Sequence, residues 1–237
     1  MSETPRDRIL ARLRNAPRPE VPRPPSVPPP TDAPARGERA ARLKSRMEAV
    51  RAEVHLVPSE TWLDRLKEIL AVRKVATLLY APQTAIGEAL RHAWDTDAAG
   101  SPELVAYAGP VETFKERLFA VDAAVTAAAG AVADTGALIL RPTAEEPRLM
   151  SLVPPIHIAV LRAEEIFATL DDAMRAGNWP ADMPTNMLLI SGPSKTADIE
   201  LILAFGVHGP KELIVPAAVF AFAQTPSEEQ SPEERSE

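Results

Sequence analysis

The sequence predicts an open α/β fold, a mostly parallel sheet with helices on both faces. Three observations lead there. Short apolar runs such as Val75–Tyr80 (VATLLY), Ile156–Leu161 (IHIAVL) and Glu212–Val215 (ELIV) have the length and make-up of buried strands. Segments with helical spacing alternate with them. The chain has 237 residues and a 46% apolar content, enough for one such sheet and its covering helices.

From the N-terminus, Pro5–Asn15 places Ile9, Leu10 and Leu13 on one helical stripe among Arg and Asp residues. Between Pro17 and Pro34 proline dominates, which removes backbone donors and favours extended geometry. This reads as a semi-rigid linker; a docking segment for a proline-recognition domain is the alternative, although no flanking residue singles one out. A charged helix is expected over Gly37–Val54, with Met47, Val50 and Val54 at helical spacing. A helix opened by Ser59 runs to Leu70, followed by the strand Val75–Tyr80 and a helix over Thr84–Trp94. A short strand at Leu104–Ala106 and a helix at Glu112–Phe119 come next. Val121–Ala133 and Gly136–Leu140 read as strands flanking Ala-Asp-Thr-Gly. The strand Ile156–Leu161 leads to a helix over Ala163–Ala176, and the strand Met187–Ser191 to a helix over Ser194–Phe205, before the closing strand Glu212–Val215. Past Gln224 the chain is acidic and lacks large apolar residues, so disorder is expected. The expected organisation is an arm helix at 1–16, a Pro-rich linker at 17–36, an α/β domain at 37–223 and a tail at 224–237.

Composition excludes several function classes. The formal net charge is −7 with no long Lys/Arg run to offset it, which argues against nucleic-acid binding. The chain has no cysteine, so it offers no disulfide, no thiolate nucleophile and no Cys ligand for zinc or an iron–sulfur cluster. A cytoplasmic location is compatible with that. The opening MSETPRDRIL carries charges where a secretory signal needs an apolar region, and no stretch approaches the roughly 20 apolar residues that span a bilayer. The four histidines show no metal-ligand spacing, and no dinucleotide, phosphate-loop or hydrolase-elbow motif is present.

Candidate chemistry gathers in Met187–Val215. An apolar strand ends at Ser191, and Gly192-Pro193-Ser194 turns the chain toward the expected helix. A helix N-terminus there, with the hydroxyls of Ser191, Ser194 and Thr196 and the cation of Lys195, suits a carboxylate or phosphate. Ser194 or Thr196 serves equally as a simple cap. Asp198 and Glu200 weigh against a bare anion site and suit a metal, the orientation of Lys195 or the helix dipole. Gly206-Val207-His208-Gly209-Pro210 presents His208 on a loop as a base or hydrogen-bond donor, or as a merely exposed side chain. Asp134, Thr135 and Gly136 read as a tight turn or as a ligand-facing loop. Arg148 is able to hold a carboxylate bidentately, and His157, between two isoleucines, reads as a buried structural histidine.

The segments AVADTGALIL, RLMSLVPPIHIAVLRAEEI, SGPSKTADIE and GVHGP stand in the order and spacing of the lactate utilization protein C family, or LUD domain, which this chain resembles. The opening DRILARLRNA is similar to that family's first helix, and the resemblance runs from about Arg6 to Val215 except for the Pro-rich stretch. It implies a fold like the sugar-phosphate isomerase and coenzyme A-transferase superfamily. It also implies a part in oxidising L-lactate to pyruvate beside two partners that carry iron–sulfur clusters, with no cofactor in this chain. By position Asp134, Thr135 and Gly136 match the family's D-T-G, Ser191–Glu200 its S-G-P-S block, and His208 and Gly209 its V-H-G; no catalytic role comes with them. On this reading Ser191–Thr196, with Lys195 or Arg148, hold a carboxylate while His208 assists proton removal. The rivals are a stand-alone transferase or isomerase acting on a sugar phosphate or coenzyme A thioester, and a non-catalytic scaffold or regulator of the lactate system.

Overall fold

The computed structural model describes residues 4–17, 34–96, 100–179, 181, 183–196 and 204–219. The chain divides into two units, Met1–Asp32 and Ala33–Glu237. In the first, α1 (Pro5–Arg14) is fixed by its own ends. Thr4 and Asp7 form a reciprocal capping box, Pro5 opens the first turn, and Arg12 and Arg14 complement the dipole in the last.

In the second unit a 3-10 turn at Arg36–Glu38 leads into α2 (Arg39–Glu48). The helix does not continue to Val54 as its spacing suggests. Arg51 takes a left-handed φ of 71°, and β1 (Glu53–Pro58) starts two residues later. Then α3 (Trp62–Val72), β2 (Thr77–Tyr80), α4 (Ala85–Thr96), β3 (Glu103–Ala106), α5 (Val111–Ala120) and β4 (Ala123–Ala127) follow the expected alternation. The apolar run Val121–Ala133 is two strands, because the chain leaves the main sheet after β4 and enters β5 (Gly130–Val132), which pairs with β6 (Ala137–Leu140).

A 3-10 turn at Arg148–Ser151 returns the chain to β7 (Ile156–Arg162). In place of one helix over Ala163–Ala176 come a 3-10 turn (Ala163–Glu165), β8 (Ile166–Phe167) and a shorter α6 (Leu170–Ala176). Thr169 and Asp172 build a capping box that sets the later start. After β9 (Leu188–Ile190), the ends of the expected helix Ser194–Phe205 are instead the antiparallel pair β10 (Lys195–Thr196) and β11 (Ala204–Phe205). The Ser194 N–H donates to the Pro210 carbonyl and the Ser194 carbonyl accepts from Gly206 N–H, both at 2.9 Å, so long-range bonds take the backbone groups a helix start would use. Residues 197–203, with Asp198 and Glu200, lie outside the described residues, as do 18–33 and the tail past Val219. The last strand is β12 (Glu212–Val219).

The main sheet is six-stranded and parallel throughout, in the order β1-β12-β7-β4-β2-β3. A second sheet runs β8-β5-β6-β9. Side chains alternate between the faces of a strand, and the core divides accordingly. Leu78, Val125, Ile158 and Ile214 pack with Leu66 and Leu70 of α3 and with Leu90 and Trp94 of α4. On the opposite face, Leu161, Leu213 and Val215 pack under α2 and the second sheet, while Leu79 and Ala124 meet Phe114 and Leu118 of α5. Asp122 ties β4 to β2, accepting from the Ala76 and Thr77 amides at 2.9 Å and from the Thr77 hydroxyl at 3.1 Å. Among the described residues no helix is long and apolar enough to cross a membrane.

Candidate functional site

The winding of the main sheet reverses between β2 and β4. From β2 the chain moves outward to β3 through α4 on one face; from β4 it crosses to the second sheet on the other. Ligands of open α/β sheets gather outside the carboxyl ends of strands at such a reversal. A cleft of about 400 Å³ lies there, between Ala127–Ala129 leaving β4 and Ala85, Ile86 and Ala89 at the start of α4. Ser59 and Trp62 beyond β1, Val160 and Arg162 of β7, Glu165 and Ala218 of β12 complete it. Arg162 is ion-paired with Glu164 at 3.3 Å and Glu165 at 2.8 Å.

Sharing Ala127 with this cleft is a small recess formed by Thr126, Arg141, Glu146, Arg148 and Ser151. The half-buried Glu146 carboxylate accepts from the Ala127 N–H at 3.1 and 3.3 Å through its two oxygens. Burial, with a smaller contribution from the Glu145 charge, outweighs that bond and pushes its pKa up to about 7. A carboxyl held there exchanges its proton near neutrality, which suits acid–base work. Behind the recess His157 Nε2 lies 2.9 Å from the Thr126 hydroxyl. The ring is fully buried, and desolvation pushes its pKa down to about 4, so His157 is neutral and structural, as its isoleucine flanks suggest. Among the described residues no group of three or more His, Asp and Glu is placed to hold a metal ion.

The residues singled out from sequence fall in three places. Arg148 lines the recess at the carboxyl end of β4. Asp134 pairs with Arg42 of α2 at 2.9 Å, and Gly136, at φ 68°, lies so close to α2 that a Cβ would sit 2.5 Å from the Arg46 Cβ. Gly192 comes equally near the end of that helix, where a Cβ would be 2.8 Å from the Val50 carbonyl oxygen. Thr135 lies in the turn between β5 and β6. The Asp-Thr-Gly block therefore packs its backbone closely on α2 and the Ser-Gly-Pro-Ser block on the turn that follows it.

Ser194 and Gly209 meet in turn, since a Gly209 Cβ would stand 3.0 Å from the Ser194 Cβ. They gather at the amino edge of the main sheet, where Lys211 N–H donates to Pro155 just before β7 and β12 begin. Ser191, Lys195 and His208 are exposed, and Thr196 is half-buried in β10. β4 pairs Ala123 with Ile156 at this edge and Ala127 with Val160 at the other. Four residues of strand, about 13 Å, separate the two ends. Arg148 and the Ser194 turn thus sit toward opposite edges of the sheet.

Sequence reasoning passed over Glu146, Thr126 and the alanine walls of the cleft. Alanine carries no chemistry to notice. The adjacent pair Glu145-Glu146 before Pro147 was a usable signal, since one of two neighbouring carboxylates is turned inward here.

Residues 40–215 match the family model of the LUD domain. Similar proteins include the uncharacterized protein NMB1437 of Neisseria meningitidis serogroup B, 35% identical over 184 residues, which span 76% of this chain and 78% of that protein. Lactate utilization protein C of Deinococcus radiodurans is 38% identical over 95 residues, 40% of this chain and 45% of that one. Lactate utilization protein C 1 of Bacillus mycoides is 26% identical over 185 residues, 76% of this chain and 78% of that one. The crystal structure of a DUF162 family protein from Deinococcus radiodurans shares the fold, with a TM-score of 0.57 at 21% identity over 78% of this chain and 99% of that one.

Proposed function

Because the chain belongs to the LUD domain family, we propose that it is a component of a lactate utilization system, acting with iron–sulfur partner proteins in the oxidation of L-lactate to pyruvate. The observation that carries this reading is the relationship to proteins named lactate utilization protein C, in one case across 76% of this chain. The lack of cysteine agrees with it, since any Cys-ligated cluster must then belong to another chain.

Within this chain the recess at the end of β4, about 10 Å³ and so large enough for one water-sized group, suits the carboxylate end of the substrate better than the Ser194 turn does. Arg148 offers a guanidinium group for a carboxylate. Glu146 lines the same recess and is able to accept the hydroxyl proton, while the Cα hydrogen leaves with its electron pair to an acceptor carried by the partner proteins. His208 is exposed on a loop near the amino-edge Ser194–Gly209 contact, which makes it the weaker candidate base. A transferase or isomerase acting on a sugar phosphate has less support, because the larger cleft's Arg162 is already matched by two carboxylates.

The test is growth of a chromosomal deletion strain of the native host on L-lactate as sole carbon source. The expected result is a growth defect that the wild-type chain restores and Glu146→Gln does not. Growth equal to wild type without the protein removes the lactate reading; full rescue by Glu146→Gln removes Glu146 as the base.

A further inference from the structure

We propose that the cleft at the reversal between β2 and β4 binds a planar, uncharged heteroaromatic ring whose edge both donates and accepts hydrogen bonds. This goes beyond the lactate reading and does not depend on it.

The argument begins with what lines the space. Ala85 and Ala89 of α4 stand on one side, Ala127–Ala129 on the other, with Ala218 near the end of β12. Methyl groups at these positions leave a slot that any larger aliphatic side chain would fill. Its volume of about 400 Å³ falls in the range typical of small-molecule sites. Trp62, at the first residue of α3, adds an aromatic surface against which a ring is able to stack or pack edge to face.

The slot is a poor match for lactate itself. A three-carbon hydroxy acid would leave most of the volume empty and would set its carboxylate against methyl groups, losing hydration without compensation. Phosphorylated ligands fit badly too. Arg162 is bonded to Glu164 and Glu165, so the charged cluster at the rim is negative by one unit. The same rim does offer donors and acceptors. Arg162 keeps Nη1 to donate beyond its bonds to the two glutamates, while Glu165 and the oxygen of Ser59, whose hydroxyl donates to Glu60 at 2.7 Å, accept; all three belong to the lining. A ring with an imide-like or amide-like edge satisfies both kinds of partner while its faces meet the alanines.

The test uses the full-length protein with riboflavin as probe, followed by quenching of riboflavin fluorescence, with menadione and decanoate as comparison ligands. The expected result is saturable riboflavin binding with a Kd of tens of micromolar or tighter, on the order of −6 kcal/mol or better. Ala89→Leu, which fills the slot from a helix position where Leu is nearly as favourable as Ala, is expected to weaken it at least tenfold with an unchanged melting temperature. Ala85→Leu, on the exposed first turn of α4, gives a second variant should the first melt early. Glu165→Gln is expected to weaken riboflavin more than menadione. No saturable riboflavin response, or one untouched by both leucine variants in folded protein, overturns the proposal. Tighter binding of menadione or decanoate than of riboflavin overturns it as well, because the site is then a general apolar cavity.

Discussion

The Thr126 hydroxyl lies 2.9 Å from Nε2 of His157, a buried pair bridging the neighbouring strands β4 and β7. One residue along, the Ala127 N–H donates to Glu146. The recess where a carboxyl titrates near neutrality is thus backed directly by a histidine held neutral in the core. Thr126→Val strips the ring nitrogen of its partner without opening a cavity. The expected cost is about 1–3 kcal/mol in urea unfolding, the usual range for a buried polar group left unpaired. A Thr126→Val/His157→Leu double variant is expected to cost less than the sum of the singles, and strict additivity would show that the two groups do not interact.

Glu146 and His157 push the pH dependence of stability in opposite directions. The folded-state pKa of Glu146 is raised to about 7, so between about pH 4.5 and 7 the folded protein holds a proton that the unfolded chain has lost, and stability falls as pH rises. The pKa of His157 is lowered to about 4, so between about pH 6.5 and 4 the unfolded chain holds the extra proton, and stability falls as pH drops. The two slopes oppose each other from about 4.5 to 6.5. Glu146→Gln is expected to gain stability at pH 8 relative to pH 5, by about 2 kcal/mol once partial exposure is allowed for. His157→Gln is expected to lose its acid sensitivity over the same span. Parallel unfolding curves for both variants and wild type at pH 5 and pH 8 would contradict this.

The Asp134-Thr135-Gly136 turn separates a packing role from a surface one. Gly136→Ala forces a left-handed backbone and a methyl group against α2, with an expected loss of about 2 kcal/mol or more. Asp134→Ala removes a partly exposed ion pair with Arg42 and is expected to cost under about 1 kcal/mol. If Asp134→Ala abolishes lactate-dependent growth at unchanged melting temperature, the turn acts on a ligand after all.

Asp122 holds together the two strands between which the sheet reverses. Asp122→Ala leaves the Ala76 and Thr77 amides without their acceptor, and an expected loss of about 1–3 kcal/mol should appear in thermal unfolding. Asp122→Asn keeps one oxygen acceptor and is expected to recover most of it.

The parallel sheet was legible because its buried strands are continuous apolar runs; Thr77–Tyr80, Ile156–Arg162 and Glu212–Val219 contain or lie within the segments read as strands. β1 was hidden because Val50 and Val54 happen to continue the helical spacing of α2, and nothing local announces the left-handed turn at Arg51. The Ser194 segment misled for the opposite reason. Its Pro193 and Ser194 are true helix-start residues, but bonds to Pro210 and Gly206, far along the chain, outweigh local preference. Of the candidate site, Arg148 was singled out from the sequence and lines the recess. Glu146 owes its character to burial that only the tertiary fold creates.

The walls of the alanine-lined cleft come from residues 59–62, 85–89, 127–129, 160–165 and 218, segments that follow or end five separate strands and helices. No fragment of the chain possesses the cavity, which comes into being only with the last strand in place. Any molecule that occupies it will report on the assembled sheet as a whole, raising the melting temperature in step with its concentration and shielding distant loops from protease alike.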